Sequence, residues 1–209
     1  MDHSRTTIRA GIFCALAAAL GARAAAAPQT YAVLPESRIT VHVGKAGLFS
    51  FAGHQHEVVG HTSGGEIVAD EADLARSSVA LTFDARALTV SGKDEPPEDV
   101  PKVQAKMLGP EVLDVARFPD VTFRSVSVSG AAAGSGQWDL QLGGDLTIHG
   151  VTKRVTLPVH VTRQAETLRA SGGITIRHTD FGLKPVSVAG VVKVKDELRL
   201  DFEITAAAH

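Results

Sequence analysis

Apolar and polar residues alternate along most of this chain. Ile39, Val41 and Val43 interleave with Arg38, Thr40 and His42, and Val79, Leu81 and Phe83 interleave with Ala80, Thr82 and Asp84. Trp138, Leu140, Leu142, Leu146 and Ile148 hold one phase across Gly143-Gly144, and Val151, Val155, Leu157, Val159 and Val161 follow in another run. Ile174 and Ile176 come next. Period-two alternation of this kind predicts strands with one dry and one wet face. The last run is the clearest. Val192, Val194, Leu198, Leu200, Phe202 and Ile204 lie on one face, and Lys193, Lys195, Glu197, Arg199, Asp201 and Glu203 on the other. A slip of one residue would turn all those charges inward, so the register is strongly specified.

The breaks in the pattern carry information too. Val121 and Phe123 are followed by Val126 and Val128, a change of phase that predicts a bulge near Arg124-Ser125. Gly64-Gly65, Gly134-Ser135-Gly136, Gly172-Gly173 and Asp180-Phe181-Gly182 read as turns. At the last, Phe181 is expected to plug the core and Gly182 to take an unusual backbone angle. Only Val100, Val103 and Met107 recur at helical spacing, after a charged, Pro-rich stretch, and they predict one short amphipathic helix. A second short helical turn is expected over Pro110–Val115. Strands do not alternate with helices, so a parallel α/β sheet is excluded and a sandwich or closed barrel remains. The expectation is an all-β, lipocalin-like antiparallel barrel of about eight strands with one or two short helices.

The beginning of the chain reads differently. Arg5 and Arg9 precede the apolar run Gly11–Ala22, and small residues follow at Ala22 and Ala24–Ala27. The run is shorter than the ~20 apolar residues of a spanning helix, and it has the layout of a cleavable secretory signal over residues 1–26, ahead of one domain at 27–209. Cys14, the single cysteine, falls inside it. The exported chain would therefore have no disulfide, thiolate nucleophile or cysteine-based zinc site. A formal charge of −2, with 21 Lys and Arg against 23 Asp and Glu, leaves no cationic excess for nucleic acid. Acidic composition and the lack of aromatic girdles, with one Trp and one Tyr, argue against a barrel embedded in a membrane.

Four stretches then stand out together: Tyr31–Phe51 (YAVLPESRITVHVGKAGLFSF), Val112–Ser125 (VLDVARFPDVTFRS), Gly144–Val159 (GDLTIHGVTKRVTLPV) and Thr179–Leu198 (TDFGLKPVSVAGVVKVKDEL). In order and spacing they resemble the YceI-like family of exported bacterial proteins, over about Thr30 to Ala206. The resemblance implies a lipocalin-like barrel around an elongated apolar pore. It also implies a polyisoprenoid lipid in that pore, such as an isoprenoid quinone, and a periplasmic or secreted carrier or store without enzymatic activity. Transient contact with membranes for lipid exchange and a monomer or homodimer complete the expectation.

On the alternating faces, the residues expected to line such a pore are Val79, Leu81, Phe83, Phe123, Trp138, Leu140, Leu142, Leu200 and Phe202. Met107 joins them, from a helix that would cover or shape one mouth. Tyr31 and Trp138 can offer a hydroxyl or N–H to a head group. The segment Ala52–His61 is richer in histidine than the family pattern. His54 and His56 would share a face of an extended segment, His61 could fold back, and Glu57 could support them, which raises a metal or haem site as the alternative. His42, His149, His160 and His178 read as surface or strand-end residues. No nucleophile elbow, His-Glu-x-x-His helix or thiol nucleophile is present, so no catalytic residue and no enzyme is expected.

Overall fold

The computed structural model describes residues 27–46, 56–93, 96–185, 187–188 and 192–209. The expected signal segment, residues 1–26, and His54 lie outside the described residues. Among the described residues, eleven strands and one α-helix follow in order: β1 Gln29–Val33, β2 Arg38–Ala46, β3 His56–Ala69, β4 Ser78–Asp84, β5 Thr89–Val90, α1 Val100–Leu108, β6 Asp120–Gly134, β7 Gln137–Ile148, β8 Val151–Gln164, β9 Thr167–Arg177, β10 Ser187–Val188 and β11 Val192–Ala208. Short 3-10 turns stand at Leu74–Arg76, Ala85–Ala87 and Thr179–Phe181.

Eight long strands close into an antiparallel barrel in the order β11-β2-β3-β4-β6-β7-β8-β9, and β9 returns to β11 over an unbroken register from Glu197↔Arg177 to Ala207↔Thr167. The short β1 completes the wall above β2, pairing with β11 on one side and β3 on the other. β1 and β2 are thus two halves of one barrel position, broken at Leu34–Ser37. The break is stitched by the buried Ser37, whose hydroxyl donates to the Thr205 carbonyl at 3.0 Å and accepts from the Thr205 N–H at 2.9 Å. Strand closure leaves no long bare edge in the wall.

Sequence explains the corners. The β7–β8 hairpin turns on His149-Gly150, with φ of 51° and 72°, the left-handed pair that a two-residue turn of matching twist needs. His149 holds that strained angle with its ring tilted against Phe118, centroids 4.4 Å apart. The register of β6 shifts between Ser125 and Ser127, so the expected bulge is there. It leaves Val126 52% exposed and returns Val128 to the core. Two turn expectations are corrected. Gly64-Gly65 lies within β3 at a second register shift, and Gly172-Gly173 lies within β9. Gly64 has open space where a Cβ would stand, whereas Gly65, Gly172 and Gly173 lie against neighbouring atoms. A Cβ on Gly172 would meet the Phe202 ring at 2.6 Å, and one on Gly144 would run into the ring of Phe123.

Two places in the wall have unpaired stretches, and each is covered. β8 pairs with β9 only from Val159 onward, and Pro158, which has no N–H to give, stands where that ladder stops. The Thr179–Phe181 turn packs against both strands there. Phe181 is 1% exposed and Gly182 has φ 71°, as the sequence leads one to expect. β6 runs beyond its pairing with β4, and the Leu74–Arg76 turn packs against it.

The apolar faces point inward, and the outer face of β11 carries exposed Lys195, Glu197, Arg199 and Glu203. Charges on the outer wall are the opposite of the apolar band that a membrane barrel presents to lipid. No described helix is long and apolar enough to cross a membrane.

Candidate functional site

The barrel has two ends of different character. At one, β1 begins and β11 stops. At the other, the connection carrying α1 crosses the mouth. A wall the length of β7, twelve residues, at roughly 3.3 Å per residue and tilted by about 40°, stands roughly 30 Å tall. The inward side chains do not fill that height. They leave two cavities, of about 160 Å³ toward the termini end and about 210 Å³ toward the helix end. Ile39, Val121 and Leu200 belong to the walls of both and form a girdle between them.

All nine strand residues expected at a pore line the termini-end chamber: Val79, Leu81, Phe83, Phe123, Trp138, Leu140, Leu142, Leu200 and Phe202. They are brought together because each strand contributes alternate residues to one closed interior. Met107 lines the other chamber with Val103, so α1 does lie across that mouth. The helix is held there in two ways. Val100, Val103 and Met107 pack on a small core of Val58, Ala85, Leu88 and Val90. Gln104 bridges to the backbone of β5 and its approach, donating to the Leu88 carbonyl and accepting from the Val90 N–H, both at 2.8 Å. Tyr31 is buried in a separate cluster with Val33, Phe83, Leu168 and Ile204 and does not line either chamber.

The two chambers differ in their polar groups. At the termini end Asp70, Glu71 and Ser77 are engaged with the protein, beside Thr122 and Trp138. Asp70 is buried and accepts from the N–H groups of Ala72 and Asp73 at 3.0 and 2.9 Å, with Arg76 3.4 Å away. Glu71 pairs with Arg163 at 3.0 Å, and the Ser77 hydroxyl accepts from the Asp70 N–H. The helix-end chamber has His56, His178 and Lys106 in an otherwise apolar wall. Lys106 extends to Glu111, 2.7 Å away.

His178 stands at the end of β9, one of the two places expected for it, but it is buried rather than on the surface, at 7% exposed. It follows β9 in the inward phase of Ile174 and Ile176. Its N–H donates to the Asp196 carbonyl at 2.8 Å and its Nδ1 faces the same oxygen at 3.1 Å. Burial holds the imidazole below its ordinary range, against the opposing pull of the Asp196 backbone and carboxylate. The signal was available: two residues beyond Ile176, the side chain had to point inward.

The histidine trio is not assembled by this strand. His56 and His61 both lie on β3, five residues apart, an odd offset that sends them to opposite faces. His56 lines the chamber and His61 is exposed opposite Arg38. Among the described residues there is no group of three His, Cys, Asp or Glu placed to hold a metal ion. His42 joins Asp201 at 3.2 Å and Glu57 at 3.9 Å on the outer wall. His160 pairs with Asp139 at 2.7 Å there.

Comparison with known proteins agrees with this geometry. The family model for a YceI-like domain matches residues 31–206. A UPF0312 protein of Shewanella denitrificans is 36% identical over 80 residues, which cover 35% of this chain and 40% of that relative's length. Among solved structures, a polyisoprenoid binding domain from Saccharophagus degradans superposes with a TM-score of 0.60 at 12% identity, covering 88% of this chain and all of that one. BcnA of Burkholderia cenocepacia gives 0.58 at 21%, covering 81% and 95%. The YCEI protein of Campylobacter jejuni gives 0.52 at 17%, covering 69% and 80%. Fold, interior and sequence signature thus agree, and the chain belongs to the family of YceI-like domains.

Proposed function

We propose that this protein binds a long polyisoprenoid lipid, an isoprenoid quinone or a similar molecule, non-covalently in the barrel interior. Its role is carriage or storage after export, in the periplasm or medium, with transient membrane contact for loading and release. The observation that carries this reading is the pair of apolar chambers, one above the other in the barrel, that share Ile39, Val121 and Leu200 in their walls. A compact ligand would need only one of them. A flexible branched chain can occupy both, and apolar walls with few polar groups are the usual lining of such a site. The structural likeness to a polyisoprenoid binding domain supports the same ligand class. We read the interior as a binding site rather than a catalytic one because its walls are almost entirely apolar.

The test is uptake by the mature protein, stripped of lipid, from phospholipid vesicles containing a polyprenyl quinone. The wild type is expected to take up one chain per barrel. Leu81→Arg places an unpaired charge in the wall of the termini-end chamber and is expected to lose uptake while retaining its fold by circular dichroism. A folded Leu81→Arg protein that loads normally contradicts the assignment of the interior as the site.

A further inference from the structure

The lipid reading leaves the direction of the chain and the chemistry of its head group open, and the inference below rests on that reading. The carboxylates at the termini-end chamber, Asp70 and Glu71, are engaged by Ala72, Asp73, Arg76 and Arg163, and Trp138 and Thr122 there add an indole N–H and a hydroxyl but no lone-pair nitrogen. The polar groups of the helix-end chamber include two imidazoles, His56 on β3 and His178 beyond β9. A tail has no use for either. A head group placed at the helix end meets both.

The geometry of His178 says which head group. Its Nδ1 lies 3.1 Å from the carbonyl oxygen of Asp196. A carbonyl only accepts, so Nδ1 carries the hydrogen. In a neutral ring the second nitrogen, Nε2, then has the lone pair, and it sits on the ring edge farther from the backbone. Burial favours that neutral form. Among the described residues no donor is bonded to Nε2. An open acceptor in an otherwise apolar chamber wall favours a ligand that brings a hydrogen.

We propose that the helix-end chamber holds the lipid's head group and that His178 Nε2 accepts a hydrogen bond from a hydroxyl on it. The barrel therefore prefers hydroxyl-bearing amphiphiles, such as the hydroquinone form of a quinone lipid, over their carbonyl-bearing counterparts. His178 is a specificity-determining residue for the ligand, and the tail passes the girdle into the termini-end chamber. Lys106 is turned to Glu111 and is not the discriminating group. His56 stands across the chamber, separated from His178 by β2 and β11 around the wall.

The matched probes are a decyl benzoquinone and its hydroquinone, which share one skeleton and differ by two hydrogens. Binding to the lipid-stripped mature protein is measured by titration under anaerobic conditions. The hydroquinone is expected to bind about five- to tenfold more tightly, the range of one well-formed hydrogen bond. His178→Phe is expected to remove the preference, and His56→Phe to keep it. Because His178→Phe also loses the bond to Asp196, nitrogen-15 NMR of the wild-type imidazole gives a second readout that needs no variant. The His178 Nε2 resonance is expected to move on adding hydroquinone and to stay with quinone. Equal binding of both forms, or a preference that survives His178→Phe, overturns the proposal and leaves the lipid reading standing. Failure of both probes to bind overturns both.

Discussion

Individual side chains divide the work between filling the barrel and leaving it open. Phe123 and Phe202 lie across glycines, Gly144 and Gly172, that stand where any side chain would collide with them. Gly144→Val is expected to overpack this part of the wall and cost about 2 kcal/mol. That should appear as a fall in Tm of roughly 4–8 °C for a chain of this size. Lining residues were legible from alternation, because period two leaves only one choice of face once a strand is recognised. His178 was legible only in its inward phase, which β9 sets; its burial depends on the Asp196 carbonyl and the Phe181 turn around it. Its pH signature follows. Folding lowers the affinity of the ring for a proton, so the unfolded chain binds more protons just below the ordinary value of 6.5. Stability is expected to fall as pH drops from 7 through 6.5 and to level off below the folded value. Denaturant titrations should show that slope weakened in His178→Phe. Asp196 titrates separately. The N–H and hydroxyl of Thr179 hold its carboxyl below 3.8, so its contribution is lost only as pH falls past that value. A slope unchanged by His178→Phe contradicts the assignment.

At the scale of elements, the short helix and the glycine pairs show what pattern can and cannot tell. Val100, Val103 and Met107 fixed α1 because helical spacing is unlike anything else in the chain, and the structure places it over a chamber mouth. What pattern did not show is the clamp. Gln104 satisfies two backbone groups of the neighbouring segment, and Gln104→Leu leaves both without it. The cost expected is about 2–3 kcal/mol, measurable by urea denaturation. Met107→Glu puts a charge at the mouth without touching the clamp. It is expected to lower lipid retention with an unchanged far-ultraviolet spectrum, and unaltered retention would remove α1 from the pore. Gly64-Gly65 and Gly172-Gly173 misled as turns because a glycine signals only that a side chain is missing. Whether the chain reverses there or a neighbour leans in depends on the opposite strand, which sequence order alone does not reveal. The split of one barrel position into β1 and β2, sewn together through Ser37 and Thr205, was hidden for the same reason.

The whole molecule is a closed wall around an interior left partly empty, and closure is the property least visible in the chain. Alternation argued for a barrel or a sandwich alike. The pairing of β9 with β11 decides between them. The emptiness bears on mechanism. Burying a tail of eight isoprene units from water would yield about 30 kcal/mol at ~0.8 kcal/mol per methylene, beyond the practical ceiling of about 20 kcal/mol. On the proposed reading the lipid comes from a membrane, so moving its tail between two apolar surroundings is nearly neutral. Fit to the chambers and contacts at the head group would then set occupancy, and the lipid is expected to exchange slowly enough to survive purification. Native mass spectrometry of the mature protein from a periplasmic extract, followed by solvent extraction, therefore tests the lipid reading most directly. The expected result is one adduct of several hundred daltons per barrel that extracts as a polyisoprenoid. A bare protein mass, or a small adduct that a chelator removes, would contradict it.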